Sequence, residues 1–316
     1  MREIGGYIQL DRYSLPMLHE GALALNCGRA ALTLLCRLRG IGRLLVPRFI
    51  CDTVPGACER AGIPYAFYGV GPDFLPAEEL HPGEGEWVYL VNYYSQLTNE
   101  VLEGYARKYP RLIVDNAQSY FQPPLPGVDT LYTCRKYFGV ADGAFLYTDA
   151  ALTETLPRDE SYARMGYVLG RFERPASEFY PAFTANDCFF DTQPVKRMSA
   201  LTENLLHAID YAAAEKRRRE NFSYLHERLG PGKGLRLRET GSFMYPFLTE
   251  NGPALRRALQ KEKIYIPTLW PAVFDYCLPG EREYAMAENI LPLPVDQRYG
   301  PEEMDCMLQK LIENIQ

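Results

Sequence analysis

The stretch TLYTCRKYFGVADGAFLYTD, residues 130–149, places Lys136 between two apolar runs with the composition of β-strands. The first run ends at Thr133, and Asp142-Gly143 predicts a tight turn before the second run begins. A lysine that follows a strand is usually a solvated surface charge. It can also be an amine that is held at the end of a strand for chemistry, and the stretch alone leaves both interpretations open.

The sequence before this stretch alternates short apolar runs with amphipathic segments. Such alternation predicts βα units and a mainly parallel sheet flanked by helices, which is an α/β fold. The candidate strands are residues 44–47, 65–70, 87–94, 111–116, 128–133 and 143–148, and the candidate helices are residues 28–40, 52–62 and 99–109.

The pattern becomes less regular after residue 150. Residues 150–195 are rich in Pro, Phe and Tyr and predict no definite element, whereas apolar residues at helical spacing then predict one long helix that ends near Gly230. GPGK (230–233) predicts a turn, and strand-like pieces at 242–248 and 263–270 with two helices predict a small α+β domain. The predicted division is a large domain over 1–197, a connecting helix over 198–230 and a C-terminal domain over 231–316.

Composition excludes several classes of function. The 316 residues carry a net charge of −6, so there is no basic surface of the kind that nucleic-acid binding needs. The sequence contains no signal-peptide pattern and no apolar run that could span a membrane, which predicts a cytoplasmic protein. The eight cysteines form no CxxC pair and the four histidines have no ligand spacing, so we expect neither a disulfide framework nor a metal site.

Two further features bear on Lys136. The run LIVDNAQSY ends an apolar strand with Asp115, followed by Gln118, where ligands of open α/β sheets gather. Asp115 could equally be a helix cap or a turn residue. The run LNCGRAAL places Gly28 at the start of an amphipathic helix, where free N–H groups favour an anion, although a glycine before a helix is common.

Together, the three features match the needs of pyridoxal phosphate. This cofactor requires a lysine amine for a Schiff base, an acid beside its pyridine nitrogen and a helix N-terminus for its phosphate. The chain offers all three groups: Lys136 is the amine, Asp115 is the acid and Gly28 begins the helix.

The same segments resemble a known family. The runs VNYYSQ (91–96), LIVDNAQSYF (112–121) and residues 129–149 are similar to the pyridoxal-phosphate-dependent sugar aminotransferases of the DegT/DnrJ/EryC1/StrS type. The similarity extends to the segments 25–32, 44–68, 195–201 and 290–300. The resemblance implies fold type I, with the cofactor in the large domain, and a homodimer whose active sites are shared between subunits.

The resemblance assigns roles to individual residues. It implies that Lys136 forms the Schiff base and transfers protons, that Asp115 pairs with the pyridine nitrogen and that Gln118 contacts the ring or its hydroxyl. The phosphate would be bound by Cys27, Gly28 and Arg29 at the helix start, with Arg29 in place of a small hydroxyl residue; Arg29 could instead bind a donor carboxylate. A further phosphate contact would come from Thr133, which lies nearer to the lysine than the family's serine.

The sequence also departs from the family. Cys51 occupies the position of the aromatic residue that stacks on the cofactor ring, so Tyr93 or Tyr94 would have to supply that ring. Asn92 replaces the family's histidine.

Other departures concern the partner subunit and the sugar. Val195 replaces the partner-subunit asparagine, which leaves Lys196 and Arg197 as candidates for that phosphate contact. Trp270 could line the sugar site or simply be buried. On a strand, Arg135 would point away from Lys136, and we expect a structural ion pair there.

The leading hypothesis is transfer of an amino group from an amino acid, taken as glutamate, to a nucleotide-linked keto-sugar. One alternative is a homologue that binds pyridoxal phosphate without transamination, as a sensor or scaffold. A remote alternative is a short-chain dehydrogenase, because Tyr132 and Lys136 have that family's spacing, but the glycine-rich dinucleotide loop is missing.

Overall fold

The computed structural model describes residues 4–230, 235 and 237–315. Within them, one sheet contains seven strands: β1 (Leu23–Leu25), β2 (Arg43–Pro47), β3 (Tyr65–Tyr68), β4 (Glu86–Val91), β5 (Leu112–Asp115), β6 (Asp129–Thr133) and β7 (Ala144–Tyr147). Their order is β1-β7-β6-β5-β4-β2-β3. The pairs from β6 to β3 are parallel, whereas β7 is antiparallel to both of its neighbours. The predicted α/β fold with a mainly parallel sheet is confirmed.

The helices that connect the first strands also follow the prediction. They are α1 (Gly28–Arg39), α2 (Thr53–Ala61) and α3 (Asn99–Lys108). Helix α1 illustrates how local residues set the ends of a helix. The Cys27 thiol caps its first turn by accepting a hydrogen bond from the Ala30 amide at 3.4 Å. The chain leaves the helix at Gly40, whose φ of 58° lies in the left-handed region that glycine adopts without strain.

The region after β7 differs from the prediction. Residues 150–195 contain two helices, α4 (Gly166–Glu173) and α5 (Tyr180–Phe189), and the predicted single helix over 198–230 is two helices, α6 (Ala200–Leu206) and α7 (Tyr211–Leu229). The break arises because the Asp210 carboxylate caps α7 through the Ala213 amide at 2.9 Å. The Tyr211 hydroxyl donates to the Leu206 carbonyl at 2.8 Å, which closes the end of α6.

The C-terminal part packs an antiparallel strand pair against helices. Its elements are β8 (Met244–Leu248), α8 (Gly252–Lys261), α9 (Val273–Tyr276), α10 (Arg282–Asn289), β9 (Ile290–Pro294) and α11 (Pro301–Ile315). The prediction of a strand at 263–270 was wrong, because β8 pairs with residues 290–294 instead. Of the predicted turn at 230–233, residues 231–233 lie outside the described residues.

The connection between β6 and β7 is anchored at both ends. The Cys134 amide donates to the Gly143 carbonyl at 3.0 Å. Gly143 has a φ of 116°, and a Cβ there would lie 3.1 Å from the Thr202 methyl carbon, so this turn requires glycine. The buried Asp142 carboxylate accepts from both the amide and the hydroxyl of Ser199 at 2.7 Å, which fixes the turn to the start of α6.

No helix of the described residues is both long enough and apolar enough to cross a membrane.

Candidate functional site

Three of the predicted site residues lie at the carboxyl ends of parallel strands, where a ligand crevice is expected. Asp115 is the last residue of β5, Lys136 follows β6, and Cys51 follows β2. Burial raises the pKa of the Cys51 thiol; the Lys136 ammonium opposes that effect and the Asp115 carboxylate adds to it. The charges of Lys136 and Asp115 therefore both act on the Cys51 thiol.

Asp115 is held by two donors. Its Oδ2 accepts from the Tyr89 hydroxyl at 2.9 Å, and its Oδ1 accepts from the Ala117 amide at 2.8 Å. Its residue surface is only 9% exposed. Since a carboxylate has about four acceptor positions, Asp115 can still accept a hydrogen bond from a ligand.

Gln118 presents a donor that the protein does not use. Its side-chain Oε1 accepts from the Tyr94 amide at 2.8 Å, and its main-chain carbonyl accepts from the Ser95 hydroxyl at 2.8 Å. The Nε2 group is buried and has no partner within the described residues. An unpaired buried N–H group costs free energy, so this position favours a ligand with an acceptor.

Lys136 is half-buried in the connection between β6 and β7. Its Nζ lies 5.6 Å from the centroid of the Phe243 ring, and it forms no ion pair with a carboxylate among the described residues. The amine is therefore not neutralised in an ion pair with these residues. Such an amine is available for covalent chemistry.

Gly28, the first residue of α1, has open space beside its Cα atom. A Cβ placed on Gly28 would meet no atom within 4 Å. The first amides of a helix have no partner inside the helix, so this end of α1 can accept an anion. Cys27, which we expected to contact the phosphate, is instead buried and uses its thiol to cap the helix.

Arg29 does not point toward such an anion. Its guanidinium forms ion pairs with Asp187 and Asp191, both at 3.2 Å. Arg135 also binds Asp187, at 2.6 Å, which confirms the expected structural ion pair. Burial acts to raise the pKa of Asp187, but Arg135 and Arg29 together hold it below its ordinary value.

Asn92 is engaged in a network within the protein. Its Nδ2 donates to the Leu97 carbonyl at 3.2 Å and to Gln122 Oε1 at 2.9 Å, and its Oδ1 accepts from the Leu97 amide at 2.9 Å. The side chain is fully buried. The structure therefore places Asn92 as a support for the loop after β4 and leaves it no free donor for a cofactor.

The aromatic candidates pack against one another. Tyr93 donates its hydroxyl to the Phe49 carbonyl at 2.5 Å and is 1% exposed, and the Tyr94 ring is fully buried. Trp270 contacts the rings of Phe49 and Tyr93 at centroid distances of 5.3 and 6.2 Å. Neither tyrosine therefore offers an accessible ring face. The Lys136 amine instead lies over the ring of Phe243, which the sequence did not indicate.

The remaining candidates for a phosphate contact are Thr133, Lys196 and Arg197. Thr133 ends β6, and its side chain has no hydrogen bond within the described part of the chain. Lys196 binds Asp159 at 3.3 Å and Gln193 at 3.1 Å. Arg197 is exposed.

Solved structures share this architecture. They include the sugar aminotransferase CalS13 from Micromonospora echinospora (16% identity, 92% of this chain and 87% of that chain, TM-score 0.61) and DesV from S. venezuelae in complex with a ketimine intermediate (17%, 92% and 84%, 0.65). A DegT DnrJ EryC1 StrS aminotransferase from Brucella abortus is also similar (16%, 93% and 86%, 0.60).

The chain has the fold of the sugar aminotransferases. At these identities, the similarity establishes the fold, which is that of fold type I. The sequence itself matches no protein-family model and no curated protein.

Within this fold, the alternative dehydrogenase pair does not form. The Tyr132 hydroxyl donates to the Gln122 carbonyl at 2.8 Å and accepts from Asn116 Nδ2 at 3.1 Å. Its ring packs at 4.1 Å from the ring of His19, in an aromatic cluster. Tyr132 is therefore a buried structural residue, and the short-chain-dehydrogenase interpretation was wrong.

Sequence reasoning missed the residues that surround the site. Tyr89, which donates its hydroxyl to Asp115, is one of them. Asp187 and Asp191 lie on or beside α5, in the region for which the sequence predicted no element. The position of Tyr89, on the strand beside that of the candidate acid Asp115, is the one signal that could have indicated it.

Proposed function

We propose that the protein is a pyridoxal-phosphate-dependent aminotransferase that transfers an amino group from an amino acid, taken as glutamate, to a nucleotide-linked keto-sugar. The observation that carries this proposal is the arrangement of Asp115, Gln118 and Lys136 at one edge of a sugar-aminotransferase fold. One similar structure, the putative sugar aminotransferase Spr1654 from Streptococcus pneumoniae, is known in both PLP and PMP forms.

The residues present fit the cofactor. Gln118 Nε2 is a buried donor without a partner among the described residues, and it suits the hydroxyl oxygen of the pyridine ring. Asp115 has acceptor capacity left for a protonated ring nitrogen. The open space before Gly28 would admit the phosphate to the N-terminus of α1.

When bound, pyridoxal phosphate supplies an electron sink for the carbon that loses a proton. Lys136 would bind the cofactor covalently and then, as a neutral amine, carry the proton between the two carbons that exchange the amino group. The Asp115 carboxylate would keep the ring nitrogen protonated. Asp115 ends β5 and Lys136 follows the adjacent strand β6, so the sheet sets the separation of the two residues.

The phosphate contact is proposed to differ from the expectation for Arg29. Since Asp187 and Asp191 already bind the Arg29 guanidinium, we assign the phosphate to main-chain amides at Gly28 and to the Thr133 hydroxyl. Lys196 and Arg197 remain candidates for a contact to the active site of a partner subunit. The proposal thus includes a homodimer with shared sites, in the cytoplasm, that serves amino-sugar or surface-polysaccharide biosynthesis.

The test is the visible absorption of the protein after incubation with pyridoxal phosphate. We expect a band for the wild type and for Lys216→Ala, a control on the exposed surface of α7, and no band for Lys136→Ala. Glutamate should then convert the wild-type band to that of the amine form. An unchanged band in Lys136→Ala would refute the assignment of this lysine.

A second candidate is a protein that binds pyridoxal phosphate without transamination. It is favoured by Cys51, which stands where an aromatic ring would stack on the cofactor, and by the burial of Tyr93 and Tyr94. If the wild-type band forms but no amino acid converts it, this second function replaces the first.

A further inference from the structure

Tyr89 is the side chain that contacts the proposed ring-nitrogen partner from the neighbouring strand. It lies on β4 and is 2% exposed, and its hydroxyl is 2.9 Å from Asp115 Oδ2. Strands β4 and β5 are parallel, with Tyr89 opposite Ile113, so the ring reaches along the sheet toward its carboxyl edge. The contact is therefore built by the sheet and not by a mobile loop.

We propose that Tyr89 is a positioning residue, which holds the Asp115 carboxylate in the orientation that faces the nitrogen of the bound cofactor. This inference rests on the proposed function, since it concerns the same site. Tyr89 would act only through Asp115.

The hydroxyl can act only as a donor to Asp115. Burial, followed by the adjacent Asp115 carboxylate, raises the pKa of Tyr89 well above its ordinary value, so the phenol keeps its proton at any working pH. With the Ala117 amide on Oδ1, the phenol on Oδ2 also prevents rotation of the carboxylate.

Other titratable groups face this pair from the neighbouring elements. They are the Cys51 thiol after β2, the Tyr93 phenol after β4, the Lys136 amine after β6 and the Cys58 thiol on α2. Burial raises the pKa values of the Cys51, Cys58 and Tyr93 groups, so all three stay neutral near pH 6 to 8.

The experiment compares Tyr89→Phe with Tyr68→Phe. Tyr68 is the matched control, because its buried hydroxyl donates to the main-chain carbonyl of Tyr89 at 2.8 Å and does not reach Asp115. The dissociation constant of pyridoxal phosphate is measured by fluorescence titration at pH 8, and thermal unfolding of the cofactor-free variants reports structural damage.

We expect both variants to lose similar thermal stability. Only Tyr89→Phe should bind the cofactor about tenfold more weakly than the wild type, because the Asp115 carboxylate then lacks the donor that orients it, whereas Tyr68→Phe should stay within about threefold of the wild type. If the two variants bind the cofactor equally well, Tyr89 is merely structural and the inference is wrong. If the wild type itself does not bind pyridoxal phosphate, the proposed function fails instead.

Discussion

The guanidinium of Arg218 lies 4.4 Å from the centroid of the Tyr137 ring and donates to the carbonyl of the same residue at 3.4 Å. Gln297 donates to that carbonyl at 2.7 Å and accepts from Arg218 Nε at 2.7 Å. Tyr137 directly follows Lys136. Helix α7 and the segment after β9 therefore fix the main chain beside the proposed catalytic lysine.

Replacement of Arg218 by Met should destabilise the protein strongly. The arginine is 1% exposed, and its loss would leave Gln297 and the carbonyls of Tyr137 and Ser242 without this donor. We expect a loss of about 3 kcal/mol or more in the free energy of unfolding, measured with urea.

The matched control is Arg219→Met, one position along α7. Arg219 is half exposed and pairs with Glu215 at 2.7 Å, a surface contact whose loss should cost less than about 1 kcal/mol. Equal effects of the two substitutions would show that Arg218 does not anchor the lysine segment.

Replacement of Arg29 by Met tests the revised phosphate contact. Because the guanidinium binds Asp187 and Asp191, we expect the variant to lose about 1–2 kcal/mol of stability while its affinity for pyridoxal phosphate stays within about threefold of the wild type. Arg60→Met, which affects only a more distant and exposed pair with Asp191 at 3.8 Å, serves as the control. A loss of more than about tenfold in affinity for Arg29→Met would return Arg29 to the phosphate site.

His19 should make the stability of the protein depend on pH. Burial lowers the pKa of His19 to about 4, although its hydrogen bond to the Tyr120 carbonyl opposes this effect. The unfolded chain therefore takes up a proton near pH 6.5 while the folded protein does not, and stability falls as the pH decreases from about 6.5 to about 4. Between pH 7.5 and pH 5, this group should account for a loss of about 2 kcal/mol in the free energy of unfolding.

Urea unfolding of His19→Gln at both pH values measures this contribution. The variant should be less stable than the wild type at pH 7.5 and should lose less on acidification. His81→Gln, at an exposed position, should follow the wild-type pH dependence. If the unfolding free energy of His19→Gln depends on pH as strongly as that of the wild type, His19 is not the group responsible.

The central sheet could be predicted because its elements are local patterns. Each strand from β2 to β7 is a short apolar run, and α1 has both a capping residue and a C-terminal glycine. Strand β1, with three residues, is too short for a pattern. The break between α6 and α7 was not visible, because the apolar spacing continues across Asp210 while the hydrogen bonds do not.

The site was predictable to the extent that it follows strand ends. The positions of Asp115, Gln118 and Lys136 depend on β5 and β6, which the sequence specifies. The environment of Arg29 depends on α5, which is distant in sequence, and no local pattern reveals that Asp187 would reach it. Asn92 was misassigned for the same reason, since its partner Gln122 lies beyond the next strand.

The reversed direction of β7 has a consequence for the lysine. A crossover connection between parallel strands can change its length while the strands stay in place. The segment 134–143 differs, because it joins two adjacent antiparallel strands and the Cys134 amide is hydrogen-bonded to the Gly143 carbonyl. Any inserted or deleted residue there must therefore displace the amine, break the ladder, or both. The position of the Lys136 amine is set by the spacing of two adjacent strands. We therefore expect insertions and deletions among chains of this fold to occur after Tyr147 and not within residues 134–143.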